Sequence, residues 1–140
     1  MKKIVLDASI IFKWLFVDAK QEDDVDAALD ILYRIQKTEI SLHQPVHWLA
    51  EVAAVASRLC PETAQQDIAD LYEMELGCVN GTEIYLTASE LSVKLNHHLF
   101  DTLYHAVALH LDDTSLITAD RKYYQKAKHL GSIRLLSEWR

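Results

Sequence analysis

The sequence predicts an α/β fold in which helices cover both faces of a mostly parallel sheet. Short apolar runs rich in β-branched residues alternate with longer segments whose apolar residues recur every three or four positions, and this alternation is typical of parallel sheets. Half of the 140 residues are hydrophobic, and only three glycines and two prolines interrupt them. No shift in composition marks a linker, so we expect residues 1–140 to form a single domain.

Two strands and three helices are predicted in the first 76 residues: strands at 4–6 and 40–42, and helices at 22–37, 45–59 and 62–76. The first strand is apolar without polar alternation, as expected of a strand buried on both faces. The first helix has an apolar stripe and an acidic start, which suits the positive end of the helix dipole. Pro45 is expected in the first turn of the second helix, where proline is best tolerated, and Pro61 separates that helix from the third.

The rest of the chain is predicted to contain three more strands and three more helices: strands at 84–86, 115–118 and 133–136, and helices at 88–95, 102–111 and 121–130. The strands are again short apolar runs. The helices carry apolar residues at helical spacing, and Gly131 ends the last of them. Strands that alternate with helices in this way indicate a mostly parallel sheet that is covered on both faces.

Two aspartates directly follow predicted strands. Asp7 follows the first strand, and Asp120 follows the strand at 115–118 after one residue. In a parallel sheet both carboxylates lie at the same edge, which is where ligands of open α/β sheets bind. Each aspartate also fits an N-cap of the helix that comes next, and this alternative stays open.

Two further acids have strongly apolar neighbours. Glu51 lies in a helix that is apolar on almost every side, where burying an unpaired charge costs several kcal/mol. We expect it to be protonated, paired with a base such as His47, or held near a metal. Asp101 stands at the start of another apolar helix, and an N-cap is the alternative to a functional role there.

If these four acids converge, they require a counter-cation. Two unit charges 4 Å apart repel by about 4 kcal/mol at an effective dielectric constant of 20, so four carboxylates do not all stay ionised together. Oxygen ligands favour Mg²⁺ or Mn²⁺, the ions usual at sites that process phosphates. Such an ion lowers the pKa of bound water and neutralises charge on a phosphodiester.

In this order and spacing, the residues resemble the PIN-domain ribonucleases, and most of all the VapC toxins of toxin–antitoxin pairs. The resemblance spans residues 5–136 and rests on Leu6-Asp7-Ala8-Ser9, on Glu51 in an early helix, on Asp101 shortly before Leu-Tyr-His-Ala, and on Thr118-Ala119-Asp120. It implies a three-layer α/β/α fold with four or five strands, a homodimer, RNA cleavage that depends on Mg²⁺ or Mn²⁺, and a cognate antitoxin that inserts a segment into the acidic site.

The resemblance also assigns roles to individual residues. It implies that Asp7, Glu51, Asp101 and Asp120 are the metal-site residues. Ser9 and Thr118 match hydroxyl positions of the family that orient water at the metal, and local turn bonding is the alternative for both. The chain departs from many relatives at residues 121–124, where Arg-Lys-Tyr-Tyr offers no further acid for a second metal. His105 replaces a common aliphatic residue, and we expect it to pack rather than to act in the site.

The composition excludes several classes of protein. A net charge of −7 is not that of a polybasic nucleic-acid binder, and the two cysteines form no zinc motif or disulfide framework, so a cytoplasmic protein is expected. The short apolar run after Met1 is neither a signal peptide nor a membrane span. Residues 120–140 carry six basic and two acidic residues, which favours an approaching phosphate backbone, whereas residues 18–30 carry six acidic residues and one lysine, which favours a basic partner.

Two other interpretations stay open. A PIN-like module can bind RNA or a protein without cutting, although all four acids favour an enzyme. His97, His98, Asp101 and His105 have a spacing that suggests a transition-metal hydrolase, but it is not an HExxH motif and His97 is expected outside the helix. The tryptophans Trp14, Trp48 and Trp139 are expected to pack in the core rather than to contact partners.

Overall fold

The computed structural model describes residues 1–16 and 23–139, and its centre is one sheet of five parallel strands in the order β3-β2-β1-β4-β5. The predicted α/β class with a parallel sheet is therefore confirmed. The strands are β1 (Lys2–Leu6), β2 (Ile40–Pro45), β3 (Gly77–Val79), β4 (Thr114–Thr118) and β5 (Ile133–Leu135).

Seven α-helices in the described residues connect these strands: α1 (Ala8–Leu15), α2 (Val25–Gln36), α3 (Trp48–Leu59), α4 (Ala64–Glu73), α5 (Thr82–Leu95), α6 (Leu99–His110) and α7 (Arg121–Ala127). Connections between parallel strands are right-handed, so the strand order decides the face on which each helix lies. The chain moves outward from β1 to β3 through α1–α4, then crosses back to β4 and β5 through α5–α7. The two groups of helices therefore cover opposite faces, and the fold has three layers.

Deeply buried parts of the core lie in the strand β1 and the helix α6. Ile4, Val5 and Leu6 are fully buried, as expected of a central strand that carries helices on both faces. Residues 102–108 of α6 are all buried because this helix lies between the sheet and α5. The Gln44 side chain extends the sheet beyond the paired strands: its Oε1 accepts from the Leu6 N–H at 2.8 Å and its Nε2 donates to the Leu6 carbonyl at 2.7 Å.

The predicted strand at 84–86 is wrong, because these residues lie in the first turns of α5. Ile84 begins a buried stripe that continues with Ala88 and Leu91, at the spacing of a helix. Leu86 is 66% exposed, which a buried strand would not allow. The third strand of the sheet is instead β3, a short edge strand that the apolar pattern did not indicate.

Two further differences concern the ends of elements. Pro45 does not open a helix but ends β2, where it pairs with Val79. Helix α1 was not predicted as an element, although Ile10, Ile11 and Trp14 form a buried stripe at helical spacing. The remaining predicted elements are present with ends shifted by a few residues.

Trp14, Trp48 and Trp139 are all less than 10% exposed, which confirms that they pack in the core. The Trp14 indole N–H donates to the Ala28 carbonyl at 2.8 Å, so its polar group is also bound inside the protein. The predicted acidic surface at 18–30 begins outside the described residues, which resume at Asp23. No helix in the described ranges is both long and apolar enough to span a membrane.

Candidate active site

Asp7 and Asp120 lie at the carboxyl edge of the sheet, where the strand order reverses. β1 connects outward to β2, whereas its other neighbour, β4, comes much later in the chain, so these two strands flank the switch point at which ligands of α/β sheets bind. Both aspartates also cap helices: Asp7 Oδ1 accepts from the Ser9 N–H at 3.0 Å, and Asp120 Oδ1 accepts from the Tyr123 N–H at 3.0 Å. The capping interpretation is confirmed, and it coincides with the predicted position at the edge.

The hydroxyls of Ser9 and Thr118 hold the Asp7 carboxylate from both sides. Ser9 Oγ donates to Asp7 Oδ1, and Thr118 Oγ1 donates to Asp7 Oδ2. Each hydroxyl oxygen also accepts from the backbone after β4: Ser9 from Ala119 N–H at 3.2 Å and Thr118 from Asp120 N–H at 3.0 Å. The structure therefore shows these hydroxyls locking the ends of β1 and β4 together around Asp7.

Asp101 is the third residue of α6 and not its N-cap, so the capping interpretation is wrong for this residue. His98 occupies the cap position, and its side chain makes no capping hydrogen bond. The Asp101 carboxylate instead contacts the His97 ring, with 2.9 Å between Oδ2 and Nε2. Ligand atoms of His97, Asp101 and Asp120 all lie within 4.8 Å of one another.

Glu51 reaches the same region from α3. Its Oε1 accepts from the Tyr104 hydroxyl at 3.3 Å, and its Oε2 lies 3.6 Å from Nε2 of His47, the base that the sequence suggested as a partner. The His47 Nε2–H donates to the Phe100 carbonyl at 2.9 Å, and burial lowers the pKa of His47. His47 therefore links α3 to the start of α6 as a neutral ring and provides no fixed positive charge for Glu51.

The carboxylates affect one another electrostatically. Burial raises the pKa of Asp7 from 3.8 to about 6; repulsion from Asp101 and Asp120 adds to this shift, and the hydrogen bonds from Ser9 and Thr118 oppose it. Burial likewise raises the pKa of Glu51 from 4.5 to about 7, with repulsion from Asp101 and Asp7 adding to it. The four predicted acids are therefore neighbours, although Asp7 and Glu51 are not part of the close group formed by His97, Asp101 and Asp120.

The donor set fits a hard divalent cation. Four carboxylates offer oxygen ligands, and in residues 1–16 and 23–139 no lysine or arginine forms a salt bridge with any of them. Their oxygens are already oriented by hydrogen bonds from Ser9, Thr118, Tyr104 and the Tyr123 backbone, as the oxygens of metal-binding carboxylates usually are. Burial is the main cause of the raised pKa values of Asp7 and Glu51, and such a cation would offset the repulsion that adds to it.

The model of the PIN domain family matches residues 4–129 of the sequence. The chain belongs to the PIN domain family. No curated protein matches it significantly.

Two solved structures share the fold of this PIN domain at low sequence identity. A chain of VapBC2 from Rickettsia felis, crystallised with a DNA fragment from their promoter, aligns with a TM-score of 0.65 and 16% identity over 95% of this chain and 96% of that chain. A chain of VapBC-1 from nontypeable Haemophilus influenzae aligns with a TM-score of 0.65 and 18% identity over 97% and 99% of the two chains. The predicted resemblance in fold is confirmed.

His105 packs inside the PIN domain, as expected. It is fully buried; its Nε2–H donates to the Gly131 carbonyl at 2.8 Å, and its Nδ1 accepts from the Tyr123 hydroxyl at 2.8 Å. Both ring nitrogens are therefore occupied, and burial lowers the pKa of the ring. The alternative transition-metal site made of His97, His98, Asp101 and His105 does not form.

Two side chains beside the acids were missed as site residues by the sequence interpretation. Tyr104 donates to Glu51, and its place three residues after Asp101 on α6 is the signal that could have indicated a shared helix face. Burial raises the pKa of Tyr104, so its hydroxyl stays a donor. His97 was considered only for the transition-metal alternative, and its contact with Asp101 depends on the turn between α5 and α6.

Proposed function

We propose that this PIN domain is a metal-dependent endoribonuclease that hydrolyses RNA phosphodiester bonds. The observation that carries the proposal is the group of acids from four separate elements at the switch point of the sheet, two of which have strongly raised pKa values. A purely structural role gives no reason to bring several carboxylates together at a cost in repulsion. A site that binds a divalent cation needs such a group of carboxylates.

Asp7, Asp101 and Asp120 would hold Mg²⁺ or Mn²⁺ directly or through water, with Glu51 as a fourth carboxylate. Such an ion would lower the pKa of water and neutralise charge on the phosphodiester. Ser9 and Thr118 keep the Asp7 oxygens oriented, and the Tyr104 hydroxyl keeps Glu51 oriented through Oε1. Beside such a cation Glu51 would be deprotonated, which is the form that can orient the attacking water and accept its proton.

The reaction we propose is an in-line attack of water on phosphorus. A bond forms between the water oxygen and phosphorus, the bond from phosphorus to the 3′ oxygen breaks, and that oxygen takes up a proton. The products carry a 5′-phosphate and a 3′-hydroxyl. Detection of 2′,3′-cyclic phosphate ends would exclude this mechanism, because those ends require attack by the ribose 2′-hydroxyl.

Part of the predicted basic surface borders the acids. Lys122 and Lys126 line a cavity of about 440 Å³ together with His97 and His98, next to Asp101. Arg134, by contrast, lies over the Trp139 ring, 5.9 Å from its centroid. We therefore propose that the RNA backbone approaches the site across α7, where cations attract phosphates.

The nuclease is tested with purified protein, free of any partner, incubated with cellular RNA in Mg²⁺, Mn²⁺ or EDTA. Asp101→Asn is compared with Asp112→Asn, which changes an exposed aspartate after α6. We expect discrete cuts that require the metal and Asp101 but not Asp112. A folded Asp101→Asn variant that cuts like the wild type refutes the site, whereas RNA binding without any turnover by the wild type indicates a binding module.

We further propose that the protein is the toxin of a toxin–antitoxin pair and forms a homodimer in the cytoplasm. The shared fold with chains of two VapBC structures supports an antitoxin partner. Leu86 and Val93 on α5 are 66% and 80% exposed, and a second copy would cover them. Co-purification from the native operon tests the antitoxin, and light scattering of the separated protein tests the dimer.

A further inference from the structure

We propose that His97 is a positioning residue of the acidic site, and that Lys126 fixes the tautomer in which it acts. His97 Nε2–H would hold Asp101 Oδ2 so that the other oxygen of Asp101 faces the cation. This inference rests on the proposed function, because it concerns a carboxylate that we assign to the metal.

The backbone of His97 is fixed in the turn between α5 and α6. Asn96 ends α5 in the left-handed conformation, with φ of 49°, and the His97 N–H then donates to the Ser92 carbonyl at 3.1 Å. The Ser92 hydroxyl donates in turn to the His97 carbonyl. The His97 side chain is only 10% exposed and packs against the Tyr123 ring, with 4.8 Å between ring centroids. The imidazole is therefore held in place before any ligand binds.

The hydrogen bonds of the ring define its tautomer. Lys126 Nζ lies 3.3 Å from His97 Nδ1 and 3.0 Å from the Asn96 carbonyl. An ammonium group only donates, so Nδ1 must be the acceptor, and the ring proton is on Nε2. This Nε2–H points at Asp101 Oδ2, which is 2.9 Å away.

This arrangement separates the role of His97 from that of a metal ligand. Nε2 carries a proton and has no free lone pair, while Nδ1 is occupied by Lys126, so neither nitrogen can bind a cation without breaking the network. Asp101 Oδ2 is engaged with His97, which leaves Oδ1 for one-oxygen coordination, as the octahedral geometry of Mg²⁺ favours. The His97 ring lies between the Lys126 ammonium group and the Asp101 carboxylate, so Lys126 does not take the place of the cation.

Mn²⁺ affinity, followed by the loss of the free-ion EPR signal, tests the inference without measuring cleavage. His97→Phe keeps a ring against Tyr123 but removes the donor, and we expect it to weaken Mn²⁺ binding about 10- to 100-fold, the usual effect of losing a group that orients a ligand. His97→Gln places an amide N–H near the position of Nε2 and should restore most of the affinity. His129→Phe changes an exposed histidine outside the site and is the control that should bind like the wild type.

Long-range ¹H–¹⁵N spectra of the metal-free wild type provide a second test that needs no variant to fold. They should show the Nε2–H tautomer for His97, and Lys126→Met should lose this fixed preference. An Nδ1–H tautomer in the wild type overturns the inference, and so does a His97→Phe variant that binds Mn²⁺ like the wild type. A wild type that binds no Mn²⁺ at all refutes the proposed function as well, which distinguishes the two failures.

Discussion

Replacing Asp7 by asparagine is expected to stabilise the metal-free protein at neutral pH. The pKa of Asp7 is about 6 in the folded protein against an ordinary value of 3.8, mainly because of burial. At about 1.4 kcal/mol for each pKa unit, ionised Asp7 lowers the free energy of unfolding by about 3 kcal/mol. An asparagine Nδ2 cannot accept the hydrogen bond that Thr118 Oγ1 donates to Asp7 Oδ2, and the loss of this bond offsets about 1 kcal/mol. The expected net gain for Asp7→Asn is about 2 kcal/mol.

The pH dependence follows from the direction of the shift. Folded Asp7 holds its proton more tightly than unfolded Asp7, so the free energy of unfolding of the wild type falls as the pH rises from about 4 to about 6 and then levels off. At pH 7.5 the full cost of about 3 kcal/mol is present, whereas at pH 4.5 only about 1 kcal/mol is present. The variant should therefore match the wild type at pH 4.5 and exceed it at pH 7.5.

Urea denaturation in EDTA at both pH values measures this difference through the fluorescence of the buried tryptophans. Asp30→Asn is the control of opposite sign, because hydrogen bonds from Trp139 and Arg34 lower the pKa of Asp30. That stabilisation is present above the ordinary pKa and is lost as the pH falls through the folded pKa, so this variant should be less stable than the wild type at pH 7.5.

The result that refutes the reasoning is an Asp7→Asn variant less stable than the wild type at pH 7.5 in EDTA. It would mean that the ionised cap of α1 contributes more than the buried charge costs. Adding Mg²⁺ or Mn²⁺ should reverse the order of the two proteins, because the wild type gains about 2.7 kcal/mol at a metal concentration of 100 times Kd and the variant gains less.

Three further predictions concern titration and buried hydrogen bonds. Because the pKa of Glu51 is about 7, Mn²⁺ binding should release a proton near neutral pH and strengthen from pH 6 to 8. Calorimetry in two buffers should show this release, and Glu51→Gln should leave only the part due to Asp7, whose pKa is about 6. Tyr123→Phe leaves His105 Nδ1 unpaired and should cost about 1–3 kcal/mol in urea denaturation. Thr102→Val removes the 2.8 Å bond to the Ala88 carbonyl and should cost about 1 kcal/mol; unchanged stability would show that this contact between α5 and α6 is not needed.

The sequence predicts those parts of the site that depend on a residue's position along its own element. Asp7 and Asp120 follow strands, and any parallel arrangement puts them at one edge. The hydroxyls of Ser9 and Thr118 lie within two residues of these aspartates. Their link across β1 and β4 could not be predicted, because it requires that β4 insert beside β1 rather than at the edge of the sheet.

Other features depend on tertiary contacts that leave no local pattern. Ile84 was assigned to a strand because three apolar residues in a row fit both a short strand and the start of a helix. The contact between Lys126 and His97 joins residues 29 positions apart through a turn whose shape is set by Asn96. Such pairs become visible only when the packing of α5, α6 and α7 is known.

The position of β4 also has a consequence for the synthesis of this chain. The Asp7 carboxylate accepts a hydrogen bond from Thr118, the last residue of β4. Asp120 follows Asp7 in the sequence by 113 residues. At about 5–20 residues per second, translation of that interval takes about 6–23 s. If the protein is a ribonuclease, its nascent chain carries only isolated acids while it is still beside its own messenger. Under the proposed function, activity would begin only after β4 has been made and has joined β1.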